Sequence, residues 1–186
     1  MAVTALDPDT ALLVLDLQRG TLQFPLVHAV DDIVKRANAL SDAFRRADLP
    51  VVLVIVDDVP PGRTEAPRHH FEITPEWVEL IPELDQHPAD LRVTKKSSGA
   101  FARTGLEDML RIRGVTQVIL AGVATGGAAD STARQAYELG FNVTMAVDAM
   151  TDVSLERHEH TISTVFPQLG ETGTTEEILA LLHATR

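Results

Sequence analysis

Leu120-Ala-Gly-Val-Ala-Thr125-Gly-Gly-Ala-Ala129-Asp-Ser-Thr-Ala133-Arg134 reads as a buried strand that turns through glycines into a helix. The same change of period recurs on both sides of it. Ala11 to Leu15 is an unbroken apolar run, as expected of a strand covered on both faces. Ile33, Val34, Ala37, Leu40, Ala43 and Phe44 then fall at helical spacing between Val30 and Arg46. Pro50 opens a β-branched stretch, Val51 to Val56, and Leu91 to Thr94 reads as a short strand. Thr104 to Arg113 predicts a helix stopped by Gly114, and Val115 to Val123 a strand. Gly126 to Leu139 predicts a helix stopped by Gly140, and Phe141 to Val147 another strand. Helices are expected over Ser154 to Phe166 and Thr174 to Leu182, with Thr74-Pro75 starting a further one. Residues 57–73 are irregular and long enough for a lid. Strands alternating with helices in this way give an α/β fold: a parallel sheet with helices on both faces.

Composition sets the outer bounds. With no repeat and no linker, 186 residues suit one domain spanning 1–186. Lysine and arginine number 16 against 27 acidic residues, a net charge of −11. That field repels phosphate backbones and anionic lipid, so neither nucleic acid nor a membrane is an expected partner. A small-molecule substrate is. No apolar run reaches membrane-span length, and the N-terminus lacks a signal-like pattern. The chain has no cysteine, which removes disulfides and sulfur metal sites and is compatible with the cytoplasm.

In a parallel sheet, ligands bind beyond the carboxyl ends of the strands. Asp16, Asp57, Lys95 and the Gly126 turn all fall at that edge. Asp16 follows five apolar residues and needs a cation or hydrogen bonds to stay charged; Lys95 is placed to supply one. Lys96 is expected to point the other way into solvent. The Gly122-Val-Ala-Thr125-Gly-Gly127 turn offers backbone N–H groups at a helix start, suited to an anion, and matches neither a Walker loop nor a dinucleotide fingerprint. His69-His70 in the irregular loop and His158 and His160 on a helix match no metal-ligand spacing, so no metal and no cofactor are expected. No serine occupies a nucleophile elbow; Ser131 lies inside the helix.

Taken in order, these segments resemble the isochorismatase-like hydrolases, the cysteine hydrolase superfamily. The resemblance rests on Asp16-Leu-Gln18, on Lys95 with Phe101 and Thr104, and on Gly122-Val-Ala-Thr125 with Thr132-Ala133, Ala136 and Gly140. Val147-Asp148-Ala149-Met150 looks like the family's strand-ending Asp-Ala, and Phe166-Pro167 precedes its last short strand. The resemblance implies a three-layer, Rossmann-like α/β/α fold with a six-stranded parallel sheet, assembled as a homodimer or larger homo-oligomer. It also implies a cis peptide in the turn, at Val123-Ala124. Most members cleave amides with an aspartate, a lysine and a cysteine, the turn amides holding the oxyanion.

Here the cysteine position falls on Ala128. True isochorismatases also lack that cysteine and hydrolyse a vinyl ether with the aspartate as general acid. The resemblance therefore implies Asp16 as the acid, Lys95 as its orienting group, and Gln18, Phe24, Arg63, Phe101, Thr125, Gly126 and Gly127 as substrate-binding residues. Isochorismate has two carboxylates, for which Arg63 and Arg68 are the candidate cations, whereas Asp57-Asp58 would repel it. Two other readings stay open: a non-catalytic homologue that binds a small ligand, and an amidase whose cysteine was replaced at 128.

Overall fold

The computed structural model describes residues 3–65 and 72–184. Arg68, His69 and His70 lie outside them. Six strands form one sheet: β1 (Thr10–Leu15), β2 (Val51–Val56), β3 (Leu91–Lys95), β4 (Gln117–Val123), β5 (Asn142–Thr151) and β6 (Glu171–Gly173). Their order is β3-β2-β1-β4-β5-β6, and every pairing is parallel. The helices are α1 (Val30–Arg46), α2 (Pro75–Val78), α3 (Leu106–Arg111), α4 (Asp130–Glu138), α5 (Leu155–His160) and α6 (Thr175–Ala184).

The unbroken apolar run of β1 is explained by the two cores it separates. Ala11, Leu13 and Leu15 pack with Leu106, Leu110, Ala133 and Ala136 from α3 and α4. Leu12 and Val14 face the opposite way, toward Ile33, Ala37, Leu40, Phe44, Ile178 and Leu182 from α1 and α6. Successive strand residues point to opposite faces, so a strand with helices above and below has no polar side. Strand order reverses between β1 and β4, which opens a crevice at their carboxyl ends.

Several boundaries differ from the sequence reading. The helix expected from Thr104 begins at Leu106, because Gly105 takes a left-handed φ of 74° and Thr104 instead bonds its Oγ1 to the Ala100 carbonyl at 2.6 Å. The helix expected from Gly126 begins as a wider π-type turn, Thr125–Ala129, before α4; Gly126 is non-helical, with φ −86° and ψ 19°. The helix expected over Ser154 to Phe166 is α-helical only to His160, then winds as π and 3₁₀ turns. β5 runs on past Asp148-Ala149 to Thr151, its register against β4 shifting between Leu120 and Gly122.

A tight backbone approach lies beside the crevice. Gly122 pairs with Leu15 across β1 and β4 at φ +111°. A Cβ there would sit 2.1 Å from the Leu15 carbonyl oxygen. Gly114 also has positive φ, +73°, but faces open space. Gly122→Ala is expected to lower the unfolding free energy by at least about 2 kcal/mol, and Gly114→Ala by about 1 kcal/mol. Urea denaturation of the two variants side by side measures the difference; equal losses would mean that the Leu15 contact relaxes freely.

Candidate active site

At the crevice, a cavity of about 230 Å³ is lined by Asp16, Lys95 and Ala128 together with Thr21, Phe24, Val56, Val123 and Val153. Asp16 leaves β1 with a positive φ of 52°, and its amide donates to the Val54 carbonyl at 3.0 Å. Its carboxylate is thereby set just beyond the sheet. Lys95 ends β3 and extends its stem under the cavity, buried to 1 % exposure. Its Nζ lies 2.8 Å from Asp16 Oδ2 and donates to the Ser97 carbonyl at 3.1 Å. Asp16 Oδ1 is buried with no hydrogen-bond partner. Burial pushes the Asp16 carboxyl up to about 6, against the opposing pull of the Lys95 charge and its hydrogen bond.

Lys96 behaves as the alternation of a strand requires. It is exposed and sits 3.3 Å from Asp57 Oδ1 and 3.9 Å from Asp58 Oδ2. Of this acidic pair, only Asp58 lines the cavity.

The structure brings Asp16, Lys95, Ala128 and Phe24 together around one space. Six other expected binding residues do not line it. Gln18 is fully buried: its Nε2 donates to the Val56 and Val78 carbonyls at 2.9 and 3.1 Å, and its Oε1 accepts from Val56 N at 2.8 Å. It ties the end of β1 to the end of β2. Phe101 belongs to the core, its ring 5.7 Å from that of Phe141. Arg63 is exposed in the loop after β2. Thr125 is buried and donates from Oγ1 to the Thr151 carbonyl at 3.1 Å. With its one proton spent there, Thr125 accepts from His158 Nδ1 at 2.8 Å.

The elbow amides are also partly committed. Gly126 N donates to Asp152 Oδ2 at 2.8 Å, and Gly127 N to the Ala124 carbonyl at 3.0 Å. Of the three amides of Gly126, Gly127 and Ala128, the first two therefore have partners within the protein. The peptide between Val123 and Ala124 is cis, as the resemblance implied.

Sequence reasoning missed Asp152, the residue that holds the elbow. Its Oδ1 accepts from Val153 N at 2.7 Å, Ser154 N at 3.3 Å and Arg157 Nε at 2.9 Å, while Oδ2 takes the Gly126 amide. Its carboxyl is held below the usual carboxylate range: burial opposes this, but the Arg157 bond and charge and the backbone donors prevail. The Arg157 stem lies across Gly126, where a Cβ would come within 2.5 Å of Arg157 Cγ. His158, read from the sequence only as a helix residue, is buried against the elbow, its ring centroid 4.6 Å from that of His28. Burial, then His28, lowers its pKa. His160 is exposed on the same helix. The signal in sequence was faint, since an acid two residues before a serine-capped helix looks like ordinary capping.

Comparison with known proteins agrees with this fold. The Isochorismatase domain matches residues 10–177. This chain belongs to the isochorismatase family. It is 38% identical over 182 residues to the isochorismatase family protein YecD of Escherichia coli O157:H7, covering 93% of this chain and 96% of that one. It is 36% identical over 177 residues to the family protein YwoC of Bacillus subtilis strain 168, covering 91% and 92%. A solved isochorismatase family protein from Burkholderia thailandensis superposes with a TM-score of 0.94 at 34% identity, over 98% of this chain and all of that one. The chain is thus an isochorismatase-family hydrolase by descent, and it carries a methyl group at Ala128 on the cavity wall.

Asp152 supplies the test of how the elbow is held. Asp152→Ala strips acceptors from Gly126, Val153 and Ser154 and is expected to cost about 2–4 kcal/mol of stability. Arg157→Ala removes a half-exposed partner and is expected to cost about 1 kcal/mol or less. Because the Asp152 pKa is depressed by folding, its contribution is present above the unfolded value of about 4 and is lost as pH falls through its lower folded pKa. Denaturant titrations at pH 7 and pH 3 compare the variants; an Asp152→Ala protein as stable as its parent at pH 7 would remove the carboxylate from this role.

Proposed function

We propose that this protein is a cysteine-independent, metal-independent hydrolase in which Asp16 is the general acid on an enol ether type bond of a small metabolite. The observation that carries the reading is the Asp16 carboxyl itself. It is buried on the cavity wall, one oxygen is without a partner, and its pKa stands at about 6. Such a group can be protonated near neutrality and can deliver the proton inward.

In the first step the protonated Asp16 transfers its proton to the terminal carbon of the substrate double bond. Electrons from the ether oxygen fill the deficit, giving an oxocarbenium ion and an Asp16 carboxylate. Lys95 keeps its proton and stabilises that carboxylate through the 2.8 Å contact with Oδ2. Water adds to the cationic carbon and returns a proton to Asp16. The resulting hemiketal separates into a ketone and an alcohol. No nucleophile is required at position 128, and the alanine methyl there leaves room without reacting.

The opposing influences on Asp16 resolve in favour of burial. Lys95 favours the charged form, yet desolvation is the larger effect and leaves the group half protonated near pH 6. Catalysis by the acid form is therefore expected to be greatest below pH 6 and to fall about tenfold per unit above it. A rate that stays flat from pH 5 to 8 on an enol ether substrate would eliminate Asp16 as the acid. Asp16→Asn, which keeps the shape but offers no transferable proton, is expected to lower kcat by at least about 100-fold while the fold is retained by circular dichroism.

The methyl at Ala128 also favours a second reading, a ligand-binding homologue without turnover. Ligand-dependent melting with no product, together with an Asp16→Asn variant that keeps its fold and changes only in affinity, would select it. Amide cleavage gained by Ala128→Cys would instead mark an amidase frame from which the nucleophile is missing.

A further inference from the structure

The cavity has carboxylates on its wall and, among the described residues, no cation free to receive an anion. Lys95 is its one lining cation, and that ammonium is shared between Asp16 and the Ser97 carbonyl. Lys96 sits over Asp57 and Asp58 outside it, and Arg63 does not line it. The remaining surface is mainly apolar, supplied by Phe24, Leu26, Val59, Pro60 and Val153, with three hydroxyls among it; Thr21 donates to the Asp16 carbonyl and Ser97 to the Gly99 carbonyl, which leaves that of Ser98. Asp58 stands on the same wall, more than half exposed.

We propose that the site takes a small substrate with an apolar body that is uncharged or carries an amine, and that Asp58 sets this preference against carboxylates. The proposal rests on the hydrolase reading only in taking this cavity as the substrate site. Three physical facts lead to it. A carboxylate moved from water to a mainly apolar wall needs a cation or several donors, and among the described residues this wall offers little beyond the Ser98 hydroxyl. Lys95 and the Asp16 carboxylate offset each other, so the net charge left on the wall is that of Asp58, which repels an anion. Asp16 Oδ1, buried and without a partner, can accept a hydrogen bond from an amine or hydroxyl, whereas a carboxylate has no proton to give it. The two-carboxylate metabolite that gives the family its name fits these conditions poorly. The charge at Asp58 is partly offset by Lys96 at 3.9 Å and by water, so the preference is graded rather than absolute.

Three single-ring probes of one shape separate the possibilities: benzylamine, benzyl alcohol and benzoate, titrated at pH 7.5 into the ¹⁵N-labelled full chain. The amides of Val123, Ala124 and Ala128 report occupancy of this cavity. Benzylamine is expected to bind at least as tightly as benzyl alcohol, with benzoate weakest. In Asp58→Asn the amine is expected to weaken about two- to fivefold while the alcohol is unchanged. Benzoate binding more tightly than the alcohol would overturn the proposal, and loss of that advantage in Arg68→Ala would trace it to the loop. No response at these amides to any probe would overturn the apolar-site assignment. Because binding is read without turnover, the charge preference can fail while Asp16→Asn still abolishes hydrolysis, and the acid mechanism can fail while the charge order holds.

Discussion

The contact between Asp16 and Lys95 joins the carboxyl end of β1 to that of β3 across β2, and the chemistry of the crevice depends on how that contact is solvated. In water the two charges would hold each other ionised. Buried, the carboxylate loses more from desolvation than it gains from the ammonium, and its proton affinity rises. The lysine limits that rise. Without it, an aspartate as buried as this one would keep its proton more firmly and part with it less readily. A pKa of about 6 is the outcome of opposing effects of which desolvation is the larger.

Around the pair, the backbone is held by side chains that never reach the cavity. Gln18 clamps the chain after β1 to Val56 and Val78, which sets where Asp16 emerges. Asp152 gathers the Gly126 amide with the Val153 and Ser154 amides at the start of α5, and Arg157 closes over it. Thr125 links the elbow to Thr151 and His158. The polar groups nearest the site thus serve mostly as struts, consistent with the rule that buried polar groups seek partners. What is left lining the cavity is mainly apolar wall, with the Asp16 and Asp58 carboxyls, a few hydroxyls and the Ala128 methyl.

The legible parts of the sequence were those where one physical requirement dominates. β1 and β2 declared themselves because a strand covered on both faces must be apolar throughout. Asp16 and Lys95 were legible as polar residues ending such strands, and preferring Lys95 to Lys96 needed the family spacing. The π-type turns at Thr125–Ala129 and Thr161–Val165 were not legible, because a wider turn leaves the local apolar pattern nearly unchanged. Gln18, Phe101 and Thr125 carry recognisable motif positions, and the motif alone does not tell a residue that touches a ligand from one that holds its neighbour. Their hydrogen bonds and packing in the folded chain show what each one holds. Asp152 was missed for the converse reason: its role arises from tertiary contacts to Gly126 and Arg157, across 26 and 5 residues of sequence.

The alanine at 128 gains meaning from the state of Asp16 rather than from its own size. A thiol at this position would need a base, and an aspartate with a pKa of about 6 is mostly ionised at neutral pH and could serve. Replace the thiol with a methyl and the ionised carboxylate has no acidic proton to accept from position 128. In the reaction proposed above, the same group starts the chemistry in its protonated form. On that proposal, a frame whose aspartate lies between acid and base exchanges one chemistry for the other with a single side-chain change, and the protonation state of Asp16 sets which of the two it can start.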